Sequence, residues 1–250
     1  MKALITGASS GMGRDMAYYL ASKGIDLILV ARRKERLEEI KDKVKVDVKI
    51  YDLDLSIERN LYKLYDKVQD EEIDILINNA GFGLFGEFIK SDLEREIEMI
   101  DLNVKAVHIL TKLFLIDFEK RSSGYILNVA SSAGFLAGPR LSTYYATKNY
   151  ILKLTMAIYE ELRRKKSDVK ISVFCPGPVN TEFNRVAKGK FVIKGLNSRV
   201  VSKYAVDKMF KNKLIIVPSL RMKLGLFINR FLPYKVSLRI MYRFQEKKNR

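Results

Sequence analysis

Short apolar runs alternate with amphipathic helical stretches from the first residues onward. ALIT precedes RDMAYYLASKG, DLILVAR precedes KERLEEIKDKV, VKIYDLDL precedes ERNLYKLYDKV, and IDILINNAG precedes a long helical stretch near residues 93 to 117. The rhythm continues through GYILNVAS, the helical STYYATKNYILKLTMAIYEEL, the strand KISVFCPG and KLIIVPS. Alternation of this kind predicts a parallel sheet covered by helices on both faces. The strands are mostly continuous apolar runs, as expected where both sheet faces are buried. The expectation is a doubly wound, three-layer α/β fold with a mostly or wholly parallel sheet of about seven strands, the whole chain 1–250 forming one domain. Ligands of such sheets bind beyond the carboxyl ends of the strands, which directs attention to the loops after these runs.

With 250 residues, 48% of them hydrophobic, the chain can bury a full core. Cys175 is the single cysteine, so no intramolecular disulfide framework is available. The expectation is a reducing compartment, with the thiol as a small buried hydrophobe. The opening MKALITGASSG reads as a strand and a turn rather than a signal peptide, and no uninterrupted apolar run reaches the ~18 residues of a spanning helix. A cytoplasmic protein is expected. The formal charge of +17 is concentrated at one end. Residues 183 to 250 hold 18 Lys and Arg against Asp207 and Glu246, a net of +16, which leaves +1 for residues 1 to 182. That end should attract lipid headgroups, a phosphate-bearing substrate or a nucleic acid, unless it is a solvated basic surface. No nucleic-acid readout motif accompanies the charge, so nucleic acid is not the expected partner.

TGASSGMG, residues 6 to 13, follows the first strand and opens a helix near Gly13 or Arg14. Glycines there let backbone approach a pyrophosphate, and the helix offers its N-terminal N–H groups to the anion. Gly7, Ser9, Ser10, Gly11, Met12 and Gly13 are the candidate contacts. The second strand ends in Ala31, Arg32 and Arg33. Two arginines at that point suit a 2′-phosphate, hence NADP(H) in preference to NAD(H). Capping a surface turn is the alternative, and it suits Arg33 better than Arg32. Tyr144 and Lys148 are spaced i, i+4, on one helix face, where a lysine can stabilise the phenolate of a tyrosine that otherwise titrates near ~10. Taken alone, the pair also fits an ordinary surface helix.

TGASSGMG, NNAG at 78 to 81, Asn103 in DLNV, Ser131 in NVASSAG, the Tyr144 to Lys148 spacing and PGPVNT at 176 to 181 together resemble the classical short-chain dehydrogenase/reductase family. The resemblance covers nearly the whole chain, in the family's order. ARRKERLEEI, NNAGFGLFGEF and CPGPVNTEF resemble a bacterial and archaeal branch akin to 3-oxoacyl and hydroxysteroid reductases. The resemblance implies a Rossmann-type domain that interconverts a ketone and a secondary alcohol by hydride transfer. It selects Tyr144 over Tyr145 as general acid/base and Ser131 over Ser132 as the donor to the substrate oxygen. Tyr145 is left to shape the pocket. By the same resemblance Lys148 favours the tyrosinate and holds the nicotinamide ribose, while Asn103 orders a water that connects Lys148 to solvent. Asp54 matches the acid that reads the adenine amine, with Leu55 beside it and Asp52 as competitor. Asn79, Ala80 and Gly81 match the stretch beside the adenine ribose, and Pro176, Gly177, Val179 and Thr181 the segment flanking the nicotinamide. Ser10 stands where some NADP-dependent members carry a basic residue. The fold without turnover, as a cofactor-binding sensor or scaffold, is the alternative from another class.

His108 reads as structural, and no metal is expected. Residues 182 to 205 fall where the family has its substrate loop. There Arg185, Lys188, Lys190, Lys194, Arg199 and Lys203 form a basic rim that would suit a phosphate-bearing acyl thioester. In the basic extension 221–250, Leu224, Phe227, Ile228 and Phe231 make an apolar helix stripe ended by Pro233, and VSLRIMYRF follows. Packing on its own domain or on a second subunit is the favoured reading, with peripheral contact to an anionic membrane the other. A homo-oligomer, dimer or tetramer, is expected.

Overall fold

A computed structural model describes residues 1–183, 187 and 195–246. Seven strands form one wholly parallel sheet: β1 Lys2–Thr6, β2 Asp26–Val30, β3 Val48–Tyr51, β4 Ile75–Asn78, β5 Tyr125–Val129, β6 Lys170–Phe174 and β7 Ile215–Ile216. Their spatial order is β3-β2-β1-β4-β5-β6-β7. The order reverses at β1, with β2 on one side and β4 on the other, and a cleft opens at the carboxyl end of that pair.

Alternate residues of each strand bury against opposite layers. Ala3, Ile5, Leu27 and Leu29 join one core with Met16 and Leu20 of α1 (Gly11–Ala21), Leu37 and Ile40 of α2 (Lys34–Lys41), and Val201 and Met209 of α7 (Ser198–Phe210). Leu4, Ile28, Leu76 and Ile126 join the other with Leu61 and Leu64 of α3 (Glu58–Lys67), and with Leu110, Phe114 and Phe118 of α5 (Ala106–Arg121). Leu162, near the end of α6 (Ser142–Arg164), completes that layer. The two-sided burial explains why the strands read as apolar runs.

Two boundaries differ from the sequence reading. α1 starts at Gly11, not at Gly13 or Arg14, because Ser10 is extended (φ −163°, ψ 170°) and the helix begins directly after it. The long helix near 93 to 117 is two: α4 (Leu93–Ile100), capped by Asp92, and α5, joined by a π turn over Asp101–Lys105. The C-terminal extension is α8 (Leu220–Asn229) and α9 (Tyr234–Glu246), with Pro233 between them as expected. Its apolar stripe does not pack on its own domain: Leu224, Phe227, Ile228 and Phe231 are exposed.

A buried polar ladder crosses the second half of the sheet. Asn78 Nδ2 donates to Asn128 Oδ1 (2.8 Å) and Thr111 Oγ1 (3.1 Å), and Asn128 Nδ2 donates to Thr155 Oγ1 (3.0 Å). It fixes β4, β5, α5 and α6 in one register. Cys175, just past β6, is fully buried, and burial pushes its thiol up to about 12. Ellman's reagent at pH 8 is expected to leave the native thiol unreacted and to titrate one thiol per chain in denaturant; rapid native reaction would contradict this burial.

Candidate active site

The glycine loop is shaped by its contact with the strand beside it. Gly7 has φ +65°, and a Cβ there would lie 2.8 Å from Ala80 Cα. A Cβ on Gly13 would meet Asn79 Nδ2 at 2.4 Å and Gly7 O at 2.5 Å. Asn79 in turn donates from Nδ2 to Thr6 O (3.0 Å) and Gly7 O (3.2 Å), while Thr6 Oγ1 accepts from Asn79 N and Ala80 N, both at 3.0 Å. NNAG therefore clamps the loop in the conformation that turns the α1 N-terminus toward the cleft.

Opposite the loop, Tyr144, Lys148 and Ser131 meet at one end of a cavity of about 630 Å³. Ser131 ends the segment after β5, accepts from Ala133 N (3.1 Å), and lines the cavity with Tyr144. Burial pushes Tyr144 up to about 12, with Ser131 opposing the shift. Lys148 is buried at 5% exposure, donates to Val129 O at 2.9 Å, and sits 5.9 Å from the Tyr144 ring centroid. Burial pulls its ammonium down to about 8. Tyr144 is thus a protonated acid at neutral pH, and Lys148 a cation close to releasing its proton.

Asn103 stands behind these groups, on the π turn. Its Oδ1 accepts from Phe82 N (3.1 Å), and its Nδ2 donates to Phe82 O (2.9 Å) and Thr147 Oγ1 (3.1 Å). Thr147 donates to Tyr144 O at 2.7 Å, so Asn103 braces the turn of α6 that carries the tyrosine. The side chain bonds backbone, as an interrupting asparagine would, and a neighbour in α6 as well.

All the other sequence-selected positions line the cavity except Gly13, which acts through packing under the loop. Gly7, Ser9, Ser10, Gly11, Met12, Arg32, Arg33, Asp54, Leu55, Asn79, Ala80, Gly81, Pro176, Gly177, Val179 and Thr181 all line it, with Thr181 packed against Gly11. Asp54 lines it and Asp52 does not. The two arginines exchange the ranks given them from sequence. Arg32 is exposed between Asp54 Oδ2 (3.5 Å) and Glu98 Oε1 (3.4 Å). Arg33 reaches Ser9 Oγ with Nε (3.3 Å) and Nη2 (3.2 Å), placing its fork over the glycine loop.

The basic rim requires a correction. Arg185, Lys188, Lys190 and Lys194 lie outside the described residues, and Arg199 and Lys203 sit on α7 rather than at the cavity. Lys203 donates instead to Tyr19 Oη (2.8 Å) and pairs with Asp207 (3.1 Å). The sequence reading also left unassigned an apolar wall of Leu136, Leu141, Met222, Ile240, Met241 and Phe244. Tyr145 belongs to that wall, in line with its assigned role in shaping the pocket.

The family model for the short chain dehydrogenases matches residues 1–190. The chain belongs to that family. It is 31% identical over 194 residues to a human very-long-chain 3-oxoacyl-CoA reductase, covering 74% of this chain and 62% of that one. A Sphingobium yanoikuyae short-chain dehydrogenase solved with NADPH superposes at TM-score 0.83 with 28% identity, covering 92% of each chain. A Burkholderia phymatum short-chain dehydrogenase/reductase solved with NAD also gives 0.83, at 23% identity over 90% of this chain and 91% of that one. The protein is an oxidoreductase of this family with its Rossmann-type nucleotide-binding fold.

A nicotinamide dinucleotide fits the site, since the space that side chains would fill at Gly7 and Gly13 is taken by close-packed backbone and Asn79, leaving the α1 N-terminus open to a pyrophosphate. Gly13→Ala is expected to destabilise the protein by about 1–3 kcal/mol through overpacking and to weaken dinucleotide affinity. Thermal melts and dinucleotide titration check it; an unchanged melting temperature would show that the clamp yields without strain.

Proposed function

We propose that this short-chain dehydrogenase interconverts a lipophilic ketone, acyl-type ketones included, and its secondary alcohol with NADP(H). The observation that carries the reading is that Ser131, Tyr144 and Lys148 line one cavity together with an apolar wall of Leu136, Leu141, Met222, Ile240, Met241 and Phe244. The dinucleotide, held by the glycine loop, Asp54, Asn79, Lys148 and the 176–181 segment, supplies or accepts the hydride. In the reducing direction Ser131 Oγ donates a hydrogen bond to the carbonyl oxygen as charge develops there, and Tyr144 gives that oxygen its proton. Lys148 stabilises the tyrosinate left behind. Apolar Leu136, Leu141, Met241 and Phe244 favour a hydrophobic substituent beside the reacting carbon. The likeness to a 3-oxoacyl-CoA reductase supports the acyl member of this class. The intact proton-transfer set favours turnover over a sensor or scaffold role.

The preference for NADP(H) over NAD(H) is supported by Arg33 over Ser9, with Arg32 at the rim. Arg33→Ala is expected to raise KM for NADPH by about tenfold or more and to leave NADH little changed, as loss of a charge-assisted contact implies. Equal effects on both cofactors would remove the assignment. A homo-oligomer, dimer or tetramer, belongs to the same reading, and exposed Phe88, Ile89, Leu93 and Ile97 offer it an apolar surface.

NADPH oxidation at 340 nm against short ketones, steroids and 3-oxoacyl thioesters tests the chemistry. Tyr144→Phe should lose about 10²–10⁴-fold in kcat while still binding NADPH, the range for a lost general acid; retained turnover sinks the mechanism. Reduction needs Tyr144 protonated and Lys148 charged, and Lys148 is the first to lose its proton as pH rises. The kcat profile for reduction should fall above pH about 8. A profile flat to pH 10 would contradict the role given to the lysine.

A further inference from the structure

The two C-terminal helices present different chemistry inward and outward. α9 packs inward through Ser237, Met241, Phe244 and Gln245, at i, i+4, i+7 and i+8. Gln245 is fully buried and donates from Nε2 to Tyr145 Oη at 2.7 Å, pinning the helix to the neighbour of the catalytic tyrosine. Met222 of α8 and Met241 and Phe244 of α9 line the cavity.

Outward, Leu220, Leu224, Phe227, Ile228 and Phe231 are all more than half exposed, and the rings of Phe227 and Phe231 stack edge to face at 5.2 Å. Ser237 Oγ bonds Asn229 Oδ1 at 2.7 Å, holding α8 and α9 together as one surface. Ile240 belongs to both faces: it lines the cavity and is 52% exposed, so the outer apolar surface runs into the cavity mouth. Arg221, Lys223, Arg230, Lys235, Arg239 and Arg243 are exposed around this surface. No acid occurs in the sequence between Asp207 and Glu246, and Lys247, Lys248 and Arg250 follow beyond the described residues.

We propose that the α8–α9 pair seats the protein on an anionic lipid bilayer, with the cavity mouth at Ile240 turned toward the lipid. An apolar face bearing aromatic rings and bordered by Arg and Lys is the composition of a helix lying in the headgroup plane. No described helix is long and apolar enough to cross a membrane. Charge selects the bilayer over a second copy: isologous pairing would set these six cations against the same six, whereas acidic headgroups neutralise them. The lipophilic class of substrate proposed above would then enter from the phase in which it is dissolved. The surface itself does not rest on that proposal, since lipid binding is read without turnover.

The test is flotation of the full chain with phosphatidylcholine vesicles, with and without phosphatidylglycerol. The expected result is co-flotation with the anionic vesicles alone, weakened by salt. Phe227→Ser with Phe231→Ser keeps the charge unchanged and should lower partitioning by about tenfold or more, with melting temperature and NADPH affinity preserved. Arg230→Gln with Arg239→Gln, as a second variant, should flatten the salt dependence. Absence of flotation, or flotation unchanged by either variant pair, overturns the proposal. So does a sedimenting dimer that the double serine variant dissociates while flotation stays as it was, which would give the surface to a second copy.

Discussion

A lysine ammonium held out of water is the constraint around which the site is built. Placing such a charge in the interior costs several kcal/mol unless it is well compensated, and Lys148 has the carbonyl of Val129 at the end of β5. The residues around it are small where it needs room. A Cβ on Gly134 would press on Lys148 O at 2.7 Å, and one on Gly81 would crowd Asn103 Oδ1 at 2.7 Å and approach Lys148 Nζ at 3.5 Å. Glycine at both positions lets α6 descend onto the ends of β4 and β5, where the lysine reaches the cleft. The resulting desolvation keeps Tyr144 protonated and makes Lys148 readily deprotonated, so one cause sets both groups.

The parallel sheet supplies the rest of the convergence. Because every strand runs the same way, the loops after β1, β4, β5 and β6 emerge at one edge. The close order of β2-β1-β4 brings the glycine loop against NNAG. The π turn carries Asn103, whose side-chain amide bonds Phe82 and Thr147 together.

What the sequence disclosed and what it hid divide along a physical line. Strands, helices and the loop residues were legible because backbone geometry and proton chemistry tolerate few residue types: a positive φ at Gly7, a contact too close for a Cβ at Gly13, a phenol and an amine four residues apart. The cavity's apolar wall was not legible, because Met222, Ile240, Met241 and Phe244 need only be hydrophobic and of suitable size, and α9 is placed by long-range contacts, the Gln245 to Tyr145 bond and the packing of Met241 among them. The destination of Lys203 was hidden for a similar reason. Its partner Asp207 lies on its own helix face, but Tyr19 is reached across the α1–α7 contact, which no local pattern reports.

Arg33 shows how tertiary context reorders two adjacent, chemically identical candidates. Arg32 looks the freer of the two in sequence, yet it stands between two carboxylates, so an incoming phosphate there would meet two negative charges against one positive. Arg33 pairs with Glu182 at 3.0 Å, and Arg36 holds the other carboxylate oxygen at 3.0 Å, giving two cations to one anion. Those hydrogen bonds, Arg36 foremost, hold Glu182 down to about 2, so it stays charged at any physiological pH and keeps the Arg33 fork oriented toward Ser9. Exposed pairs of this kind add little stability. Their effect is positional: Glu182 ties the segment after β6 to α2 through Arg36 and, through Arg33 and Ser9, to the glycine loop.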